Sequence, residues 1–471
     1  MRRKNVFQPR RAFFPKNEIG DKALEIIEKD PKQLERIPGI GKVRSQMIHE
    51  SLMEKLEVQQ IFMGLQELGI TMNQANRLYK LYGAGVVQRI KDNPYKLIED
   101  VESIGFKTAD KIAKNAGFEH DSPFRVRAGL RHMLNIARND GHTCLPKNTL
   151  VYRTAEELLG VEVALVESVA EEMIISSELV EQHFLDTDFI YLPYLSYAET
   201  DSAARLIELR SGAALLPMAD IEGEISRLEK KFGIELAEKQ RLAVSTAVNE
   251  GVMVITGGPG TGKTTILRFI IELVRGMGLE VELAAPTGRA SKRMTDATGC
   301  EARTLHRLLE YGFENEAFAR CEDYPIEADV IIVDEMSMVD VPLFHALLRA
   351  IAPGTRLIMV GDHDQLPSVG PGNVLRDIIN AEAVPVIRLT DIYRQAGRSM
   401  IVINAHRINH GQVPVVDRRE SDFVFVPREG MEDALLTVIA MCRELRETGA
   451  EEFQVLAPMK QNVTGVFNLN E

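Results

Sequence analysis

Gly257-Gly258-Pro259-Gly260-Thr261-Gly262-Lys263-Thr264 decides how this chain is read. The string fits G-x-x-x-x-G-K-[ST], in which glycines let successive backbone N–H groups curl around phosphate oxygens and the lysine neutralises their charge. Upstream, Val252-Met253-Val254-Ile255-Thr256 predicts a short buried strand; downstream, residues 265–275 predict an amphipathic helix. A chance glycine-rich turn would not carry both flanks. A helix N-terminus directly after the loop adds a field that favours an anion. Gly258, Pro259, Gly260, Thr261, Gly262, Lys263, Thr264 and Thr265 are therefore candidate nucleotide ligands, with the Thr264 hydroxyl a candidate ligand of Mg2+.

Working outward, strands are predicted at 252–256, Val281–Ala285, Val330–Val333, 356–360 and Val386–Leu389, with helices between them. That alternation predicts a doubly wound parallel sheet, an α/β P-loop architecture. Two acids, Asp334 and Glu335, follow the apolar run Val330-Ile331-Ile332-Val333. Ligands of open α/β sheets bind at the carboxyl ends of strands. Asp334 would hold Mg2+ with Thr264, and Glu335 would act as general base on water. Gly361-Asp362-His363-Asp364-Gln365-Leu366-Pro367 follows another apolar run. The Gln365 amide can bond both a γ-phosphate oxygen and the attacking water; His363 reads as a solvated turn residue.

The first 120 residues repeat themselves. Ile27-x3-Pro31-x2-Leu34 leads to Ile40-Gly41-Lys42, and Ile90-x3-Pro94-x2-Leu97 leads to Ile104-Gly105-Phe106-Lys107. Each unit predicts helix, glycine turn, helix, with Leu68-Gly69-Ile70 a degenerate third. The pattern resembles the helix-hairpin-helix motif. N–H groups exposed at the start of the second helix can hold a DNA phosphate without reading sequence. Gly39 and Gly41 are the candidates in the first unit. Between 121 and 200, helices followed by two strands at 179–183 and 189–192 suggest a winged helix. After 391, strands at 423–426 and 453–457 around a helix at 433–447 predict the start of a second α/β unit.

The 471 residues are 45% hydrophobic and 27% charged, as in ordinary globular domains. No apolar stretch is long enough to span a membrane. Cys144, Cys300, Cys321 and Cys442 are scattered without C-x-x-C spacing, which argues against a structural zinc or disulfide framework and suits a cytoplasmic, reducing setting. Net charge is −13. Yet between 286 and 307, Arg289, Lys292, Arg293, Arg303 and Arg307 outnumber Asp296 and Glu301. Phosphate contacts are local, so this patch counts for more than the global sign.

Six ordered strings together resemble the RecD-like branch of superfamily 1 DNA helicases: the P-loop; Ala285-Pro286-Thr287-Gly288-Arg289-Ala290; Thr304-Leu305-His306-Arg307-Leu308-Leu309; Asp334-Glu335-Met336-Ser337-Met338-Val339-Asp340; Gly361-Asp-x-x-Gln365-Leu-Pro367; and Leu389-Thr390-Asp391-Ile392-Tyr393-Arg394-Gln395. The N-terminal hairpins resemble the long form that works without nuclease partners. The resemblance implies a RecA-like motor domain (233–390), an all-α helix-hairpin-helix region (1–120), a connecting region (121–232) and a partial second RecA-like domain (391–471). It implies an ATP- and Mg2+-dependent monomer moving 5′ to 3′ on single-stranded DNA and acting at single/double-strand junctions, in recombination or repair. Gln240 would read adenine, Tyr393 would stack on it, and Arg394 would reach the γ-phosphate. Pro286, Thr287, Arg289, Thr304 and His306 would line the single-strand path. A strand-separating hairpin is expected within 310–327, with 318–321 as one strand. The last residues resemble the segment preceding motifs V and VI, so an incomplete form with weak activity is expected. The alternatives are a ring-forming ATPase, a non-motor DNA-binding ATPase, or the RecD subunit of a nuclease complex.

Overall fold

Glycine turns and buried apolar spacing build the N-terminal helices. The computed structural model describes residues 23–37, 39–212, 220–312, 316–390, 399–416, 422–449 and 453–471. They fall into two compact units. The first comprises Met1–Ala204, Asp340–His345 and Ser368–Asn373; the second comprises Arg205–Val339, Ala346–Pro367 and Val374–Glu471.

In the first unit, Gly41 caps the helix Lys42–Glu67 and Gly105 caps the helix Phe106–Asn115. Gly69 turns with φ +84° ahead of Thr71, whose hydroxyl accepts from Gln74 N and caps Met72–Tyr82. The first hairpin's second helix runs on to Glu67 because Ile61 and Leu65 continue the buried face. These helices share a core with Leu78, Ile90, Ile104 and Ile112, continuous with Leu130 and Leu134 of the helix Pro123–Asn139. A polar network ties them. Arg125 donates to both Asp110 oxygens and to the carbonyls of His120 and Leu159, while Tyr95 Oη donates to Asp110 at 2.7 Å. Burial pushes the Asp110 carboxyl up, but its bonds to Arg125 and Tyr95 outweigh that and hold it below its ordinary value. The predicted two-stranded wing has a third strand. β1 (Cys144–Pro146), β2 (Val180–Phe184) and β3 (Thr187–Tyr191) pair antiparallel in the order β1-β3-β2.

The second unit carries β4 (Val252–Gly257), β5 (Val281–Ala285), β6 (Ala302–Thr304), β7 (Tyr311–Gly312), β8 (Ala317–Phe318), β9 (Val330–Val333), β10 (Arg356–Gly361) and β11 (Val386–Leu389). Six of these form one parallel sheet in the order β11-β4-β10-β9-β5-β6. Every residue of β4, β9 and β10 is buried, as expected of a sheet covered on both faces. All five predicted strands are present, and β6 was not foreseen. β7 and β8 pair as a small antiparallel hairpin, Tyr311 opposite Phe318.

The strands expected at 423–426 and 453–457 are absent. Neither segment joins a ladder among the described residues, and Val424, Phe425 and Leu456 stay exposed. A strand needs a neighbour for its N–H and C=O groups, and an apolar run alone does not supply one. The helix between them, Met431–Glu447, is present and buries no residue.

Candidate active site

The P-loop follows β4 directly. Gly260 (φ +77°) and Gly262 (φ +84°) take left-handed conformations that L side chains resist, and Lys263 opens a 14-residue helix to Gly276. Gly257 has no room for a side chain: a Cβ there would stand 2.9 Å from the Leu389 carbonyl oxygen. Lys263 Nζ donates to the carbonyls of Gly257 and Gly258. Burial lowers its pKa, opposed by the nearby carboxylates of Asp362, Asp334 and Glu335. The fold thus gathers the lysine and three acids from the ends of β4, β9 and β10. That set suits a magnesium–polyphosphate: left-handed glycines that turn the backbone into an anion-binding nest, a lysine, and part-buried acids for a hard cation. Thr264 and Asp334, both expected metal ligands, lie on the P-loop helix and at the end of β9. Thr265 is the next residue of that helix.

Asp334 accepts from Glu335 N at 2.8 Å, and burial raises its carboxyl pKa. Glu335 sits at φ 56°, ψ 41°, a left-handed conformation that is uncommon outside glycine and asparagine. Its carboxylate is ion-paired with Arg293 of the helix Gly288–Thr298. That arginine was visible only as one charge in a basic patch.

Asp362 is buried, and Gln365 stays close through backbone and side-chain bonds to it. Gln365 is itself exposed, free to turn toward a ligand. His363 is not a solvated turn residue. Its Nδ1 lies 2.9 Å from Thr256 Oγ1, and its N–H donates to the same hydroxyl, tying the end of β10 to β4. The cause is register: β10 and β4 are neighbours, so Thr256 faces the residues after Gly361. Asp362, His363 and Asp364 also have donor atoms within 4.8 Å of one another.

Gln240 is buried. Its Nε2 donates to Thr261 O at 2.9 Å and its Oε1 accepts from Ala237 N at 3.0 Å, which fixes the amide's orientation. It braces the P-loop and retains one N–H and one lone pair for a base edge. Thr261 is buried, and its hydroxyl donates to Gly258 O, closing the loop on itself. His406, which no motif flagged, stands against Gly258 from the helix Met400–Asn409. Nothing in the sequence connects it to a loop so far upstream. Tyr393 and Arg394 lie outside the described residues.

The expected DNA residues gather at the next strand ends. Ala285 of β5 pairs with Thr304 of β6, which brings Pro286 and Thr287 beside Thr304. Both threonines cap helices: Thr287 Oγ1 accepts from Ala290 N, and Thr304 Oγ1 from Arg307 N. Arg289 is exposed and donates to Gln454 Oε1. The His306 ring packs against Tyr311 and Phe318 of the β7–β8 hairpin, with centroids 5.7 Å from each. In the first unit, Gly39 turns at φ +92° and is exposed, as is Gly41 at the helix start.

Residues 240–371 match the family described as AAA domain, and residues 54–144 match the ATP-dependent RecD2 DNA helicase HHH domain. Over 96% of its length the chain is 35% identical to the ATP-dependent RecD2 DNA helicase of Deinococcus radiodurans. The chain is thus similar to a RecD-like helicase along almost all of its length. It spans 63% of that relative's length. The RecBCD enzyme subunit RecD of Mycolicibacterium smegmatis is 37% identical over 38% of this chain and 35% of its own. Among solved structures, the Pif1 helicase of Candida albicans covers 47% of this chain and 56% of its own at 24% identity, with a TM-score of 0.31, too low to support an argument. In this RecD-like chain, the HHH match encloses the hairpin at Gly105 and begins after the one at Gly39 and Gly41. The AAA match begins at Gln240 and runs past Gln365, so it contains the site residues from Gln240 to Gln365 and leaves out Gly39, Gly41, Tyr393, Arg394, His406 and Gln454. None of the described helices is long and apolar enough to cross a membrane.

Proposed function

We propose that this chain is the ATP-hydrolysing motor of a RecD-like DNA helicase, moving 5′ to 3′ along single-stranded DNA as a monomer. One observation carries the reading: the P-loop lysine lies within electrostatic reach of Asp334, Glu335 and Asp362. In this scheme Lys263 leaves its loop carbonyls for the β- and γ-phosphates. Thr264 and Asp334 hold Mg2+, which when bound neutralises phosphate charge. Glu335 takes a proton from the attacking water once Arg293 releases it, and Gln365 orients that water against the γ-phosphate. Gln240 reads the adenine edge, Tyr393 stacks on the base, and Arg394 approaches the γ-phosphate. Pro286, Thr287, Arg289, Thr304 and His306 form the strand path, and the Gly39–Gly41 turn holds a backbone phosphate.

The test is phosphate release by the purified chain with and without oligo-dT. Stimulation by DNA that disappears in Lys263→Ala supports the reading. Unchanged release in Lys263→Ala removes this site as its source. Polarity is tested on forked duplexes; unwinding only from 3′ tails reverses the assignment.

A further inference from the structure

His406 belongs to no nucleotide motif, yet its ring lies on the P-loop. A Cβ built at Gly258 would stand 3.0 Å from His406 Cε1 and 3.5 Å from Nε2. A side chain at residue 258 would press on the imidazole. Nε2 is buried and makes no hydrogen bond among the described residues. Buried ring nitrogens are normally paired, because an unpaired one forfeits its hydration for nothing.

The helix that carries this ring is held in place by specific bonds. Asn404, two residues before His406, is fully buried; its amide donates to Val415 O at 2.9 Å and accepts from Val415 N at 2.8 Å. At the helix start, Asp422 accepts from Ser399 Oγ at 2.5 Å and from Met400 N at 2.7 Å. Two separate pairs of bonds thus fix the helix that carries His406 to the segment that follows it. Among the described residues the ring forms no ion pair; what it stands against is the Gly258 backbone of an anion-binding turn. A ring N–H is a donor, and the acceptors that such a turn collects are phosphate oxygens.

We propose that His406 is a nucleotide-contact residue, its Nε2–H donating to a phosphate oxygen of the nucleotide held by the P-loop. The proposal rests on the reading of that loop as the ATP site. It adds a second side-chain donor to that of Lys263, from a segment far downstream of the loop. Such a contact makes the position of the helix Met400–Asn409 sensitive to the nucleotide.

The experiment is titration of the purified chain with fluorescent mant-ATP and mant-ADP in Mg2+, comparing wild type, His406→Ala, His406→Gln and Lys263→Ala. A hydrogen bond to a charged acceptor corresponds to a loss of roughly tenfold or more in affinity. His406→Ala is expected to show that loss, while His406→Gln, which keeps a side-chain N–H, recovers most of it. Melting without nucleotide should be the same for wild type and both His406 variants, which separates lost contact from lost fold. Loss confined to mant-ATP places the contact on the γ-phosphate; equal loss for both nucleotides places it on the β-phosphate. Wild-type affinity in His406→Ala for both nucleotides overturns the proposal, as does a glutamine variant no better than alanine. A Lys263→Ala chain that binds as well as wild type overturns the site reading itself, and the proposal with it.

Discussion

Glu322 shows what a single carboxylate does for this fold. It accepts from Arg349 through two bonds, at 2.9 and 2.8 Å, and from Arg205 at 2.5 Å. The bonds to Arg349 are the main reason its pKa falls from 4.5 to about 2. A depressed carboxylate stabilises the folded state above its unfolded pKa, and that contribution is lost as pH falls through the folded value. The window here runs from about 4.5 down to about 2. Glu322 is partly exposed, so solvent screens the effect and it stays modest. Glu322→Gln is expected to melt below wild type at pH 7, with the gap closing as pH drops below 4.5. Melting curves at stepped pH check this; a gap that widens in acid contradicts it.

Elements are tied by a second cluster. Arg125, from the helix Pro123–Asn139, reaches Asp110 in Phe106–Asn115 and the carbonyl of Leu159 at the end of Arg153–Leu159. Its side chain is only 11% exposed, so removing it strands a part-buried acid. Arg125→Ala is expected to cost about 3 kcal/mol in urea unfolding. Adding Asp110→Asn should return part of that loss, because the two residues share one interaction. Full additivity would mean that they act separately. The same scale explains which elements could be read beforehand. β4, β9 and, after Arg356, β10 are apolar runs ending in motif residues. Ala302-Arg303-Thr304 has a charge at its centre and is short, so β6 read as loop; only its neighbour β5 makes it a strand. Residues 423–426 carried the apolar signal without a neighbour, and pairing is not written into a run of side chains. At the site, Lys263, Asp334, Glu335 and Gln365 followed from local strings. His363 and His406 depend on contacts across more than a hundred residues, which no local pattern encodes.

The whole molecule divides into two units with separate cores, one around Leu65, Leu78 and Leu130, the other around Ile255, Phe269 and Ile332. A ligand stabilises what it binds, by about 2.7 kcal/mol at a hundred times its Kd. A non-hydrolysable ATP analogue with Mg2+ is therefore expected to raise only the calorimetric transition of the unit that holds the P-loop. Lys263→Ala should abolish that shift. A single transition moving as one with nucleotide would show that the units unfold together. Charge follows the same division of labour. The net −13 belongs to the chain as a whole, while the strand-end arginines supply a local positive field.

The left-handed backbone at Glu335 has a consequence for heredity. Holding a non-glycine residue there costs on the order of 1–2 kcal/mol. Apart from its ion pair with the exposed Arg293, the glutamate gives the fold nothing in that turn that glycine or asparagine would not supply with less strain. In a gene copy released from the need to hydrolyse nucleotide, position 335 would drift toward those residues early. Lys263, anchored on its loop carbonyls, would be slower to change. If the proposed activity holds, the glutamate is the first place to look when separating working copies of this gene from retired ones.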